Sequence, residues 1–203
     1  MPSQVSIFNN ALRLLGEPEV VAVTSDTKYA KRLSNAWDDE VRSWFEDKDW
    51  IFARSVEQLT RVTPTIAGWT YTFNLPATNW RVLKVSRDTV PHMPGIDYEL
   101  RGGKVLTDSE TTYLHFIDNV IVDQIGSWPQ KFADALAARL AEAVYPATDE
   151  SNSTRDRIEK ARMRRVKDAK AFDDQIRAQR QPPRGRYITA RRHGIGSVNR
   201  GRE

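Results

Sequence analysis

Ser3-Gln4-Val5-Ser6-Ile7-Phe8-Asn9-Asn10-Ala11-Leu12-Arg13-Leu14-Leu15-Gly16-Glu17-Pro18 is the stretch on which the fold turns. Ser3 is a type that caps helix N-termini, and Ile7, Phe8, Ala11, Leu14 and Leu15 recur at the spacing of one helical face. Gly16 supplies a left-handed residue to end that helix, and Pro18 prevents its resumption. Beyond the turn, Ala30, Leu33, Trp37, Val41, Trp44 and Phe45 step by three or four residues, which predicts a second amphipathic helix from about Asp26 to Glu46. Such a stripe must find a partner surface. An aromatic cluster at Trp50 and Phe52 closes the pair.

The chain has 203 residues, enough to bury roughly 70% of its unfolded surface in one core, with room for a small second lobe. It has no cysteine, so disulfides and thiolate metal sites are excluded and stability must come from packing. The longest apolar runs, Val20 to Val23 and Trp50 to Ala53, are far too short to cross a bilayer, and the first residues lack the pattern of a signal peptide. The expectation is a soluble chain made in the cytoplasm, with no membrane partner. Net charge is +4 but unevenly placed: Arg180 to Glu203 holds seven arginines and one acid, a net of +6, leaving −2 on residues 1–179. The basic pI thus describes the tail, not the body.

After Trp50, the segment Ile51 to Val62 can be read as helix or strand, since periodicity alone leaves both open. Trp69, Tyr71, Phe73 and Leu75 alternate with polar residues, the period of a half-buried strand ended by Pro76. Trp80 to Arg87 reads as another strand, Pro91 to Gly95 as a loop, and Tyr98 to Leu100 with Lys104 to Leu106 as a hairpin around Gly102-Gly103. Thr111 to Ile117 completes a small antiparallel sheet. Ser127 and Pro129 open an Ala-rich helix bearing Phe132, Leu136 and Leu140, and Pro146 ends it. A last helix, Ser153 to about Arg177, has a thin seam of Ile158, Ala161, Val166, Ala169, Phe172 and Ile176 among many charges. Gln181-Pro182-Pro183 stops it, and the Gly- and Arg-rich remainder has too little apolar surface to order by itself. Helices, then strands, then helices argue for an α+β fold, with residues 1–50 and 127–178 as a helical bundle, 51–126 as an inserted antiparallel β domain, and 179–203 as a basic C-terminal tail.

The sequence offers no catalytic, cofactor-binding or metal-ligating motif. His92, His115 and His193 are scattered without a partner at metal or triad spacing. Gly102-Gly103-Lys104 lacks the upstream glycine and the following Ser/Thr of a phosphate loop, and reads as a hairpin turn. Asp38-Asp39-Glu40 and Asp173-Asp174 read as solvated helix faces rather than cation sites. Trp37, Trp44 and Trp50 belong on the second helix's apolar stripe, Trp69 and Trp80 on strands, and Trp128 at the start of the third helix. The tail keeps two readings open. Arg184, Arg186, Arg191 and Arg192 can neutralise phosphates with Tyr187 stacking on a base, or the same residues with Ile188 can dock in an acidic groove of a protein.

Ser6 to Pro18, then Trp50-x-Phe52-Ala53, Phe73-x-Leu75-Pro76, Arg81-Val82-Leu83-x-Val85 and Phe132-x-x-Ala135-Leu136-Ala137-x-x-Leu140-Ala141 form an ordered set that resembles the tail tubular protein A family. These are head-to-tail adaptor proteins of short-tailed bacteriophages, and the resemblance favours a strand after Trp50. It implies a structural virion protein without catalysis or cofactor: a homo-oligomeric ring of about twelve copies, roughly 30° per step, at the head-tail junction. The implied partners are the portal protein, the tail nozzle (tail tubular protein B-like), and tail fibres as an optional further partner. DNA would pass through the channel without sequence-specific binding. It also favours protein docking for the tail, making Arg184, Arg186, Tyr187, Ile188, Arg191 and Arg192 portal-docking residues. On a ring of that kind, our own expectation is that Arg101, Gly102, Gly103 and Lys104 form a nozzle-facing hairpin. The alternative is a nucleic-acid-binding protein that uses the basic C-terminal arm.

Overall fold

The computed structural model describes residues 1–63, 65–66, 68–90, 94–145 and 152–176. The portal-docking set from Arg184 to Arg192, together with His92 and His193, lies outside the described residues. The helices are α1 (Gln4–Leu15), α2 (Lys28–Glu46), α3 (Asn119–Asp123), α4 (Gln130–Val144) and α5 (Asn152–Ile176). The strands are β1 (Arg54–Gln58), β2 (Arg61–Val62), β3 (Tyr71–Asn74), β4 (Asn79–Ser86), β5 (Glu99–Arg101), β6 (Lys104–Thr107) and β7 (Tyr113–Asp118). The fold is α+β with small antiparallel sheets.

Local chemistry sets the ends of the first two helices. Ser3 and Ser6 cap α1 reciprocally, Ser3 N–H donating to Ser6 Oγ at 2.9 Å and Ser6 N–H to Ser3 Oγ at 3.2 Å. Gly16 closes it at φ 80°, while Glu17 N–H reaches back to the Leu12 carbonyl at 2.9 Å. α2 starts two residues later than its apolar period suggests, because the Thr27 hydroxyl accepts from Ala30 N–H at 3.2 Å and so takes the N-cap position.

The strands form two sheets rather than one: β1-β7-β4, and β2-β3-β6-β5. The expected Ile51–Val62 strand divides into a 3-10 turn at Ile51–Ala53 and two short strands. Leu59 N–H still bonds to the Thr112 carbonyl beside β7, but the Thr60 carbonyl already accepts from Asn74 N–H at the end of β3. The chain therefore changes sheets across one peptide. Leu59, Phe73, Val85, Val105, Leu114 and Phe116 form the core between the sheets, whereas Ile117 joins the helical core. A register shift in β4 between Val82 and Lys84 lets Val82 and Val85 share the inter-sheet core while Leu83 turns to the helices.

α1, α2 and α5 all pack on α4, whose Ala133, Ala135, Ala137, Ala138 and Ala141 are buried and permit close approach. At its N-terminal end Phe132 is a hub, with ring centroids 4.9 Å from Phe45 and Trp50, 5.0 Å from Phe52, 5.3 Å from Trp128 and 5.5 Å from Trp44. Trp50 Nε1–H donates to the Trp44 carbonyl at 2.8 Å, so the ring is buried without an unmet donor. Trp69, placed on a strand by alternation, precedes β3 instead. The seam expected on α5 also needs correction. Ile158 and Ala169 are buried, but Phe172 is 40% and Ile176 48% exposed, and Asp173 faces inward at 2%. Continuing the inward line from Ala169 by four residues reaches Asp173, not the apolar neighbour that composition favours. No helix among the described residues is long and apolar enough to cross a membrane.

Candidate functional site

The hairpin residues Arg101, Gly102, Gly103 and Lys104 form the closed end of β5 and β6, with Arg101 paired to Lys104. Gly102 and Gly103 have φ of 56° and 73°, the pattern of a two-residue hairpin turn that matches strand twist. Leu75 N–H donates to the Gly103 carbonyl at 3.1 Å and ties the turn to the end of β3. Arg101 donates from Nε and Nη2 to Glu99 Oε1 at 2.9 and 2.6 Å, and Trp69 Nε1–H donates to Glu99 Oε2 at 3.0 Å. The Trp69 hydrogen bond first, and Arg101 next, hold the Glu99 carboxyl below its ordinary range. β5 is the edge of its sheet and carries the half-exposed Leu100, so the hairpin presents backbone groups, an apolar side chain and a cation together.

A second cluster, invisible in the sequence, joins α2, β1, β4 and α5. Lys48 Nζ lies 3.1 Å from Asp173 Oδ2 and 2.8 Å from Asp174 Oδ1, and donates to the Lys170 carbonyl at 3.0 Å. Asp173 Oδ1 accepts from Ile51 N–H at 2.9 Å; its Oδ2 has the Lys48 ion pair but no hydrogen bond of good angle. Asp173 therefore does not lie on a solvated face, which corrects the reading of Asp173-Asp174. Asp38 and Asp39 are exposed as expected, whereas Glu40 is paired to Arg139 at 3.0 Å. Next to the corner, Arg81 donates to the Glu46 carbonyl at 3.1 Å and to Asp49 Oδ1 at 3.1 Å, while Arg54 holds Asp49 Oδ2 at 3.1 Å. A strand arginine thus caps the C-terminus of α2, where its charge meets the negative helix end. The only sequence signal for this corner was the phase of α5.

His115 has a partner that spacing could not reveal. Its Nε2 is 2.8 Å from Ser86 Oγ and 3.3 Å from the Asp88 carbonyl, with Ser86 fully buried and His115 5% exposed. Ser86 Oγ–H donates to the Asp88 carbonyl at 2.6 Å, so the network assigns the Nε2 proton to a bond toward Ser86 Oγ. The imidazole is then a donor rather than a base, and the hydroxyl is sealed in the fold. Burial foremost, then the Lys84 charge, holds His115 below its usual range against the raising effect of the Asp88 carbonyl.

Two shallow clefts flank α5. One, about 340 Å³, is lined by Lys131, Asp134, Ala161, Arg164, Arg165 and Asp168. The other, about 160 Å³, lies where Arg139 pairs with Glu40 at 3.0 Å and Arg162 with Glu142 at 2.6 Å. Among the described residues no three His, Asp or Glu side chains are grouped to hold a metal ion. Arg139–Glu40 and Arg162–Glu142 thus bind element to element. No protein-family model and no curated protein matches this chain.

Proposed function

We propose that the chain is the subunit of a structural head-to-tail adaptor ring, which joins a phage portal to the tail nozzle and continues the DNA channel. One observation carries the reading: the first, second and last of the pieces that resemble tail tubular protein A, though far apart in the chain, meet in the helical core, while Phe73, Leu75, Val82 and Val85 of the others pack between the sheets. α1, which contains Ser6 to Leu15, packs on α4; Phe132 of α4 meets Trp50 and Phe52; and Leu83 of β4 packs on the same cluster. Motifs far apart in the chain that meet in one core support a shared fold better than matches that never touch would. In this reading α1, α2, α4 and α5 make the ring wall and the Gly102-Gly103 hairpin meets the nozzle. Arg184, Arg186, Tyr187, Ile188, Arg191 and Arg192 engage the portal. The protein works by position and performs no reaction.

Negative-stain imaging of the purified chain mixed with portal rings of its own virus tests this directly. The expected result is an added ring on one face of the portal, with the chain also present in purified particles. Its absence from particles, or portals that remain bare, rejects the proposal.

A further inference from the structure

Charge is partitioned by element. Residues 1–151 hold 15 cations and 21 acids, a net of −6, while α5 holds eight cations and five acids, a net of +3. On the outer side of α5, Lys160, Arg164 and Lys167 are exposed and follow one another by four and three residues, so they form one line. Lys160 and Lys167 have no partner among the described residues, and Arg164, 85% exposed, approaches Asp168 only to 4.0 Å. On α2 the outer face presents Asp38, Asp39 and Glu46, all exposed and with carboxylates unpartnered among the described residues. Arg42 on that face is engaged over the Trp80 ring at 5.4 Å. Lys160 and Lys167 are seven positions apart, as are Asp39 and Glu46. On a helix each line is about 10 Å long.

We propose that these two faces are the halves of one contact between copies of this chain: Lys160, Arg164 and Lys167 of one subunit lie along Asp38, Asp39 and Glu46 of the next. The inference rests on the ring reading, which requires two different faces to meet, and adds which faces they are and the charge that pairs them. A second copy is the occupant that charge complementarity points to, because the same chain carries an exposed acidic line of matching length on α2. Exposed pairs of this kind give register and encounter rate more than strength. The contact is therefore weak for free subunits and sensitive to salt.

The test is sedimentation velocity on the full-length protein at high concentration and low ionic strength. Three variants are compared: Lys160→Glu/Lys167→Glu, Asp38→Lys/Asp39→Lys, and all four changes in one chain, with far-UV circular dichroism confirming that each is folded. The wild type is expected to form a concentration-dependent series beyond the dimer that salt dissolves, and each single-face reversal to weaken association about tenfold. The four-change chain should recover to within about threefold of wild type, and mixing the two single-face variants should restore association as well. The proposal is overturned by association that ignores the reversals, that stops at a dimer, or that is absent at low salt. Duplex DNA binding that Lys160→Glu/Lys167→Glu abolishes while self-association stays intact overturns it too. Absence of the chain from virus particles would sink the ring reading itself, whereas normal rings built from charge-reversed subunits would sink only this contact.

Discussion

Lys48 and Asp173 show how much a single charge placement matters here. Asp173 is 2% exposed and leans on Lys48 and the Ile51 N–H, while Asp174 beside it has a side chain 57% exposed. Replacing Lys48 by Ala strands a buried carboxylate, and urea unfolding should show a loss of about 3–5 kcal/mol. Asp174→Ala should cost less than about 1 kcal/mol by the same measurement, because its pair is solvent-screened. Equal losses would mean that Asp173 is not buried as charge. His115 makes a separate prediction. Its folded-state pKa lies below the ordinary 6.5, so the unfolded chain takes up a proton first as pH falls. Its contribution to stability is fully present above 6.5 and is lost progressively as pH drops from there through the lower folded-state pKa. Urea midpoints measured from pH 7.5 to 5 should fall more steeply for wild type than for His115→Gln; identical slopes would show that the imidazole titrates normally. Neither pairing was legible in the chain, since Lys48 and Asp173 are 125 positions apart and Ser86 and His115 are 29 apart. No local period links them.

The helices repay comparison of two phenylalanines. Phe132 and Phe172 both lie on predicted apolar stripes, but Phe132 is 1% exposed within a ring of five aromatics and Phe172 is 40% exposed. Phe132→Ala should cost about 3–5 kcal/mol in thermal or urea unfolding, because the rigid indoles around it cannot collapse into the space. Phe172→Ala should change stability by less than about 1 kcal/mol. A large loss at Phe172 would restore the seam that its sequence suggests. The hub was legible because Trp44, Trp50 and Phe132 sit where helical spacing and turn signals place core residues. The end of α5 was not, because choosing apolar residues over helix phase selects Phe172 where the backbone delivers Asp173.

Across the molecule, the body and its C-terminal segment differ in charge. Deleting residues 181–203 removes six arginines and one acid and takes the net charge from +4 to −1. In the adaptor reading, that truncation should keep the unfolding midpoint and circular dichroism of the full chain while losing attachment to portal rings. Full portal binding by the truncated form would reject the docking role of Arg184 to Arg192, and a lowered midpoint would show the segment to be part of the core. The broad succession of helices, strands and helices, the caps at Ser3 and Gly16, the glycine hairpin and the α+β class could all be read from the chain, because each depends on residues within a few positions of one another. The division into two sheets at Leu59-Thr60, the burial of Asp173 against Lys48 and the sealed Ser86–His115 pair could not. They follow from which distant segments close on one another, and burial and pairing energies from across the chain then override local preference.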